Sequence, residues 1–396
     1  MSDTIFDMRI RDEAKILCEK YLLGKVIGRG ASAEVIEILD LQSLQRKVVK
    51  VFKISRKYSL GQSRGSKLQE VIEEYRILKQ LSHGNVLKAY EMVKQEEDHF
   101  TTLAVVTDYC SGSLEELRLS HQEKRLPLSN CHFYFHQLMD GIEYLYSQSI
   151  VHGDIKPANL MLVNDNTLKL ADFGSFVHVG IFPGPERRGI SGSSPYFQPP
   201  ERLQLSPQKE DDETRVRMLF SADVWSCGIV LFMIACGRHP FLESDQASPD
   251  ELYRAIVDKS FVRTPVMLKN RALDLLFRKI LEPDVQKRAG ITDVKRDAWY
   301  NISVRPTDTA GMIARTDNEG RVGDKYRSMT MTQALNQLVH PIVGTVKVLG
   351  KDLTDFEVRK EIPYVRANRS PEPARSPPRS LFQSLKDRAA RLRRKF

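Results

Sequence analysis

The chain has 396 residues and a formal net charge of +9, with 41% hydrophobic and 28% charged residues. These values are ordinary for a folded globular protein and exclude a low-complexity or fibrous one. Five scattered cysteines, without a C-x-x-C pair, argue against a disulfide scaffold and a structural zinc module. The N-terminus lacks the layout of a signal peptide, and the longest apolar run, Cys227 to Cys236, is too short to span a bilayer. We therefore expect an intracellular soluble protein.

The positive charge is concentrated at the end of the chain. Residues 366–396 contain ten Lys+Arg and two Asp+Glu, a local charge of +8, which leaves +1 for the preceding 365 residues. A nucleic-acid-binding domain needs a basic face on its folded part, so no nucleic-acid partner is expected. The segment is also rich in Pro and Ser, a composition that favours a partly disordered basic tail.

The first hundred residues are predicted to be rich in strands. Residues 1–20 form a polar lead-in with some helical character, carried by Ile10, Ala14 and Leu17. Short β-branched runs over 48–52 and 103–106 predict buried strands. Apolar residues at helical spacing predict one helix over 68–81.

The middle of the chain is predicted to be mostly helical. Apolar residues over 133–145 form one amphipathic face, and residues 224–235 are apolar nearly all round, as in a buried core helix. The pattern weakens over 301–365, before the basic tail. The chain therefore divides into a small β-rich lobe, a larger helical lobe, a flanking segment and a tail.

A glycine-containing stretch, GRGASAEV from Gly28 to Val35, is the first candidate site. Two glycines at i and i+2 let backbone N–H groups approach a phosphate chain closely. Taken alone, the stretch fits a two-glycine hairpin turn as well as it fits a nucleotide loop.

The second candidate is Lys50, which lies within an apolar strand. Burying an ammonium group is costly unless the group is paired, and the helix over 68–81 offers Glu73 and Glu74 as partners. Lys53 competes for the role, but Lys50 has the better V-x-K frame. A surface lysine at a strand edge is the alternative interpretation.

The decisive segments are HGDIKPAN at 152–159 and ADFG at 171–174. Phosphoryl transfer needs a carboxylate that orients a hydroxyl and accepts its proton, oxygen ligands for a divalent cation, and positive charge for the transferred group. Asp154 fits the first role, Asn159 and Asp172 the second, and Lys156 and Lys50 the third. A polar turn between helices is a poor alternative for this spacing.

With these motifs, residues 21–300 resemble the eukaryotic protein kinase family, and the Lys-Pro pair after Asp154-Ile155 is similar to its serine/threonine branch. The resemblance implies an α+β, two-lobed protein kinase fold, with a small β-rich N-lobe over about 21–108 and a larger helical C-lobe over about 111–300. It also implies ATP with Mg²⁺ or Mn²⁺ as cofactors.

The same resemblance assigns roles residue by residue. It implies a catalytic set of Asp154, Lys156, Lys50 and Glu74, with Lys50 paired to Glu74, and metal ligands Asn159 and Asp172. The implied nucleotide-binding residues are Ile27, Gly28, Gly30, Val35, Lys50, Thr107, Asp108, Tyr109, Cys110 and Asp172. It further implies that Asp223 holds the catalytic-loop backbone and that Glu201 pairs with Arg288.

A closer resemblance, to the liver kinase B family, is carried by residues 20–24, 141–148, 193–201 and 325–330. It implies an upstream kinase that phosphorylates the activation-loop threonine of AMP-activated protein kinase and its relatives. It also implies a STRAD-type pseudokinase and an armadillo-repeat scaffold as partners, activation without loop phosphorylation, and a cytoplasmic and nuclear location.

A pseudokinase scaffold is the alternative to an active enzyme, because two residues depart from the kinase pattern. Ala33 replaces the third loop glycine, and Gly153 precedes the catalytic aspartate. Neither change removes a metal ligand, the proton acceptor or the phosphate-binding lysine. Another activating kinase, such as a calmodulin-dependent kinase kinase, is the second alternative.

The terminal residues 380–396 predict a basic amphipathic helix whose apolar residues recur every three or four positions. Such a helix can lie on an acidic membrane surface, and a solvated or nuclear-import tail is the alternative. Ser370 and Ser376, each followed by Pro, are candidate phosphorylation sites, and Thr330 matches an autophosphorylation site of the family.

Overall fold

The computed structural model describes residues 10–302 apart from 12–13, 19, 31–32, 44, 56–63, 97–98, 164–165, 180–193, 204–211, 243–247 and 259–260. Within these residues the chain forms two compact units, one from residues up to 82 with 87–109, and one from 83–86 with 110–302. The basic tail, its amphipathic segment and the candidate phosphorylation sites at 330, 370 and 376 lie outside the described residues.

The first unit is built on an antiparallel sheet that has seven strands among the described residues, in the order β1-β2-β3-β4-β5-β7-β6. Its strands are β1 Ile10–Arg11, β2 Ala14–Leu17, β3 Tyr21–Arg29, β4 Glu34–Asp40, β5 Arg46–Ser55, β6 Ala89–Glu96 and β7 Phe100–Asp108. Helix α1, Arg64–Gln80, contacts β6.

The core of this unit lies on one face of the sheet. Buried residues from successive strands meet there, including Tyr21, Ile38, Val49 and Val106, each with 0% exposure. The strands predicted over 48–52 and 103–106 are confirmed as parts of β5 and β7. The helix predicted over 68–81 is confirmed, and it begins four residues earlier.

The predicted helical character of the lead-in is wrong. Ala14–Leu17 is a strand that pairs with β3 through Ile16 opposite Leu22 and Leu17 opposite Tyr21. Leu17 is thereby buried, with 3% of its surface exposed. A segment this short gains little as an isolated helix, whereas pairing at the sheet edge satisfies its backbone and buries its leucine.

The second unit is mainly helical. Its helices are α2 Leu114–Leu119, α3 Leu128–Ser147, α4 Pro200–Leu203, α5 Asp212–Cys236, α6 Pro249–Val257, α7 Pro265–Lys269, α8 Arg271–Ile280 and α9 Ile291–Lys295. Its strands, which form the sheets β11-β10-β8 and β12-β9, are β8 Gly112–Ser113, β9 Ile150–Val151, β10 Leu160–Leu162, β11 Leu168–Leu170 and β12 Val177–His178. Helices α3 and α5 pack against each other, and both predicted helices, over 133–145 and 224–235, are confirmed.

Helix α5 forms the centre of this unit. Its stretch Thr214–Cys236 is, by length and composition alone, long and apolar enough to cross a membrane, although the uninterrupted apolar run is shorter. The structure buries 78% of its most apolar window inside the protein. Trp225 and Phe232 are both 0% exposed, as expected for a core helix.

Candidate active site

Three of the predicted nucleotide-binding residues lie in one row across the first unit's sheet. Gly28 on β3 is opposite Val35 on β4, Val35 is opposite Lys50 on β5, and Lys50 is opposite Val105 on β7. Directly opposed residues point to the same face of a sheet. The register therefore brings the glycine stretch and the strand lysine together on one surface.

The two glycines of this stretch are not required by the backbone. A Cβ added at Gly28 would lie 3.7 Å from that of Val35, and one at Gly30 would lie 3.6 Å from the carbonyl of Ala33. Both are ordinary contacts. The turn itself is closed by a 2.8 Å bond from the Gly30 N–H to the Ala33 carbonyl. Side chains would therefore fit at both positions without a clash. Because glycines occupy them instead, a ligand could approach the backbone closely.

The predicted adenine-facing segment begins at the end of β7. Thr107 is buried, with 7% exposure, and lies opposite Val48. The next residue, Asp108, accepts hydrogen bonds from the Lys88 N–H at 3.0 Å and from the Tyr90 hydroxyl at 2.7 Å. Burial, together with the bond to Asp108, raises the pKa of Tyr90, so the phenol stays a donor and holds this carboxylate in place.

A buried ion pair supports this segment from the neighbouring strands. The ammonium of Lys47 lies 2.8 Å from Asp40 Oδ2 and 4.0 Å from the centroid of the Tyr90 ring. Burial by itself raises the pKa of Asp40, but the hydrogen bonds from Lys47 and from the backbone N–H groups of Ser43 and Gln42 outweigh it and lower the pKa to about 2. The Asp40 carboxylate is therefore ionised in the folded protein at neutral pH.

A second cation supports Tyr109. The guanidinium carbon of Arg46 lies 3.9 Å from the centroid of the Tyr109 ring, and the same guanidinium binds Glu37 Oε1 at 2.5 Å. Glu37 is buried, so the pair is fixed. Of the remaining predicted residues, Ile27 is exposed at 41% and Cys110, the first residue after this segment, is half-buried.

The strand lysines have distinct surroundings. Lys50 is half-buried and its Nζ lies 5.2 Å from the centroid of the Phe52 ring, whereas Lys53 is exposed. Glu74 is half-buried on α1. The pairing of Lys50 with Glu74 stays a prediction. Glu73 accepts a 2.8 Å bond from Gln69.

In the second unit, Asp154 is the centre of a hydrogen-bonded loop and is 4% exposed. Its Oδ2 accepts from Lys156 Nζ at 2.7 Å and from Asn159 Nδ2 at 3.0 Å, and its Oδ1 accepts from the Ser194 N–H at 3.1 Å. Asn159 Nδ2 also binds the Asp154 carbonyl at 2.9 Å. A carboxylate has about four acceptor positions, so these three donors fix it and leave room for one more.

The backbone of this loop is held by Asp223, as predicted. Its two carboxylate oxygens accept the N–H groups of His152 at 2.7 Å and Gly153 at 2.9 Å. Burial raises the pKa of Asp223. Gly153 has φ +82°, and a Cβ there would lie 2.5 Å from the Ser175 carbonyl. The departure at 153 is thus required by this backbone, because only glycine adopts it without strain.

Histidine 152 joins the loop to the segment that carries Asp172. Its Nδ1 accepts the Asp154 N–H at 3.3 Å, so its Nε2 donates to the Ala171 carbonyl at 3.0 Å. The ring lies 4.8 Å from that of Phe173, which is fully buried. Asp172 has φ 62° and ψ 75° and is exposed. Left-handed backbone conformations are strained for residues other than glycine, and such strain is often found at functional sites.

The predicted metal ligands have the right chemistry for a divalent cation. Asn159 donates through Nδ2 to Asp154, so its amide oxygen remains as a ligand, and Asp172 presents an exposed carboxylate. Hard cations such as Mg²⁺ take oxygen ligands and keep several waters. No group of three or more His, Cys, Asp or Glu residues suited to a metal occurs in the described part of the chain, and the predicted pair does not need one.

The predicted pair of Glu201 and Arg288 is confirmed. Arg288 Nη1 and Nη2 bind the two oxygens of Glu201 at 2.6 and 2.8 Å. The arginine also lies 4.8 Å from the centroid of the Trp225 ring, so α4 and α5 are tied together near the loop.

Comparison with known proteins identifies the family. The protein kinase domain family matches residues 21–300. The chain is 31% identical over 339 residues to human serine/threonine-protein kinase STK11, covering 85% of this chain and 72% of the relative. It is 32% identical over 358 residues to the Xenopus laevis stk11 protein (90% and 76%), and 29% identical over 350 residues to Caenorhabditis elegans par-4 (88% and 53%). The chain belongs to the protein kinase family.

Membership fixes the general chemistry of this kinase. It is a serine/threonine protein kinase related to STK11 and par-4. Such an enzyme uses ATP with a divalent metal and acts on protein substrates. The predicted α+β kinase fold is confirmed, with a β-sheet lobe and a helical lobe.

Some residues that build the kinase's site are absent from the sequence-based assignments. Arg46 and Lys47 at the start of β5 and Tyr90 on β6 support the segment at 108–109, and no sequence pattern singles these three residues out. The backbone N–H of Ser194 carries no sequence signal at all. Gln198 lies within the stretch 193–201 that carries the closer family resemblance, but its sequence context predicts no role for it.

Proposed function

We propose that this kinase uses Mg-ATP to phosphorylate the activation-loop threonine of AMP-activated protein kinase and related kinases. The main support for phosphoryl transfer is the hydrogen-bonded loop in which the Asp154 carboxylate accepts from Lys156, Asn159 and Ser194. Support for the substrate class comes from the similarity to STK11. The aligned region covers 339 residues and is therefore longer than the kinase domain at 21–300.

In this proposal the residues of the second unit act on the substrate hydroxyl. Asp154 accepts a hydrogen bond from that hydroxyl at its remaining acceptor position, orients the oxygen and takes its proton. Lys156, whose Nζ lies 2.7 Å from Asp154, supplies positive charge beside the transferred group. The buried setting strengthens these interactions because little water competes.

The cofactor roles follow from the residues that fit them. Asn159 and Asp172 would hold the divalent cation, which would neutralise charge on the phosphates. Lys50, fixed by Glu74, would bind the α- and β-phosphates, and the glycines of β3 would let the backbone approach them. Thr107, Asp108, Tyr109 and Cys110 would bind the adenine.

The substrate proposal has a direct test. The full-length chain is incubated with Mg-ATP and a kinase-domain fragment of AMP-activated protein kinase, and with the same fragment in which the activation-loop threonine is alanine. We expect phosphate on that threonine only in the first case. Equal labelling of both fragments would exclude this target while leaving kinase activity intact.

The same assay separates the two alternatives. If the chain were a pseudokinase scaffold, the Asp154→Asn protein would give the same labelling as the unaltered one. If it were a calmodulin-dependent kinase kinase, calcium-loaded calmodulin would raise the rate several-fold.

The partners and location are proposed on the same resemblance. A STRAD-type pseudokinase and an armadillo-repeat scaffold would activate the chain in the cytoplasm and nucleus, and residues 380–396 would bind acidic membrane surfaces. Copurification of a pseudokinase from cells tests the first idea. Loss of binding to phosphatidylserine vesicles on removal of 380–396 tests the last, and unchanged binding would exclude it. Imaging of a fluorescent fusion tests the location.

A further inference from the structure

The short segment 194–198 is anchored at nearly every residue. The Tyr196 carbonyl accepts a 2.9 Å bond from His239 Nε2, and the Phe197 carbonyl accepts a 2.8 Å bond from Ser226 Oγ. Both donors are buried, with 7% and 3% exposure. The backbone immediately before the next residue is therefore held by side chains of α5 and of the turn that follows it.

That next residue, Gln198, has its amide occupied at both ends. Its Nε2 donates to the Gly153 carbonyl at 3.3 Å, and its Oε1 accepts from Arg202 Nη1 at 3.1 Å. Gln198 is 5% exposed. Because a guanidinium only donates and a carbonyl only accepts, these two partners leave one orientation of the amide.

Both backbone polar groups of Gly153 are consequently bound. Asp223 takes its N–H at 2.9 Å, and Gln198 binds its carbonyl. The residue that follows it is Asp154, whose carboxylate also receives the Ser194 N–H. The two ends of segment 194–198 are thus attached to two successive residues of the catalytic loop.

We propose that Gln198 is a positioning residue for phosphoryl transfer, which fixes the Gly153 carbonyl and thereby the orientation of Asp154 relative to segment 194–198. Gly153 has no side chain with which to bind the segment, and its φ of +82° does not allow one. The link therefore runs from the segment to the loop through the glutamine amide. This inference concerns the kinase activity itself and is independent of the proposed substrate.

The test replaces the amide by a group of the same shape. Gln198→Glu keeps an acceptor for Arg202 but presents an oxygen, without a hydrogen, to the Gly153 carbonyl. The full-length chain is purified from eukaryotic cells so that any bound activator is retained, and steady-state phosphorylation of myelin basic protein is measured per folded molecule. We expect kcat to fall about tenfold, with the KM for ATP changed less than twofold.

Gln137→Glu is the matched control. Gln137 is half-buried on α3, where it accepts the Leu168 N–H at 2.8 Å and donates to the Asn166 carbonyl at 3.3 Å. The same substitution there removes a structural hydrogen bond of the same kind. We expect a lower melting temperature but a kcat within twofold of the unaltered protein.

The outcomes decide the proposal. A tenfold loss of kcat in Gln198→Glu, with an intact Gln137→Glu enzyme, supports it. Unchanged kcat in Gln198→Glu, or an equal loss in both variants, overturns it. If Gln198→Glu does not fold, Gln198→Met, which keeps the length and adds no charge, is measured against the same control with the same criteria.

Discussion

Arg288 and Glu201 bind through two parallel hydrogen bonds, at 2.6 and 2.8 Å, across 87 residues of sequence. The arginine side chain is 0% exposed and also donates to the carbonyls of Glu282 and Pro283. A planar guanidinium satisfies all of these acceptors at once, which an ammonium cannot do. The pair therefore fixes α4 against the turn at residues 282–288.

Removing this arginine should destabilise the protein strongly. Arg288→Met leaves the largely buried carboxylate of Glu201 without its partner, and we expect a loss of about 3–5 kcal/mol in the free energy of unfolding. Urea unfolding measures it. The control is Arg278→Met, which breaks the exposed pair with Asp274 on α8 and should cost less than about 1 kcal/mol. Similar losses in both variants would contradict the importance of the buried pair.

The backbone at Gly153 gives a second prediction. Gly153→Ala places a Cβ 2.5 Å from the Ser175 carbonyl at a φ of +82°, so we expect about 1–3 kcal/mol of destabilisation and a lower kcat. The control is Gly84→Ala, because a Cβ at Gly84 meets nothing within 4 Å. Thermal unfolding and steady-state kinetics measure both variants. Equal behaviour of the two alanines would show that the glycine at 153 is not needed.

The partner of Lys50 can be decided by a matched pair of substitutions. If Glu74 holds the lysine in the working enzyme, Glu74→Gln removes the charge that fixes it, and kcat/KM for ATP should fall about tenfold or more. Glu73→Gln changes the neighbouring carboxylate, which binds Gln69, and should have little effect. A larger loss at 73 than at 74 would reverse the assignment.

The ion pair of Lys47 with Asp40 predicts a particular dependence on pH. The pKa of Asp40 is lowered from 3.8 to about 2 in the folded protein. A carboxyl group whose pKa is lower in the folded than in the unfolded protein stabilises the folded state. This stabilisation is complete when the pH is above the unfolded-state pKa, and it is lost as the pH falls from about 4 toward 2.

Lys47→Met should therefore lower the free energy of unfolding at pH 7 by roughly 2 kcal/mol or more. It should also flatten the fall in stability between pH 4 and 2, since Asp40 then titrates near its unfolded value. Chemical unfolding at a series of pH values tests this. Lys94→Met, which breaks the exposed pair with Glu96 in the same sheet, should leave the profile unchanged.

Residues whose chemistry is local could be predicted from the sequence. Lys156 and Asn159 lie two and five positions from Asp154, so their spacing alone brings them to its carboxylate. The core helix around Trp225 followed from an apolar composition that no exposed helix would have. The loop at Asp154 and the core helix both depend on residues that are close together in the sequence, so the sequence pattern is enough to predict them.

Features that depend on distant partners could not be predicted in this way. The lead-in at Ala14–Leu17 becomes a strand only because β3 offers it an edge. The Ser194 N–H is a backbone group, and its bond to Asp154 spans 40 residues. The sequence marks Gly153 as a departure from the kinase pattern, but the reason for it, the nearby Ser175 carbonyl, exists only in the folded chain.

The central claim is that Asp154 orients the substrate hydroxyl and accepts its proton during transfer from ATP. The most direct measurement is phosphate transfer by Asp154→Asn, which keeps the size of the side chain, alongside binding of Mg-ATP by the same protein. We expect kcat to fall by about 10²–10⁴-fold while nucleotide affinity stays within a few-fold. Transfer at the unaltered rate by the folded Asp154→Asn protein would contradict the claim.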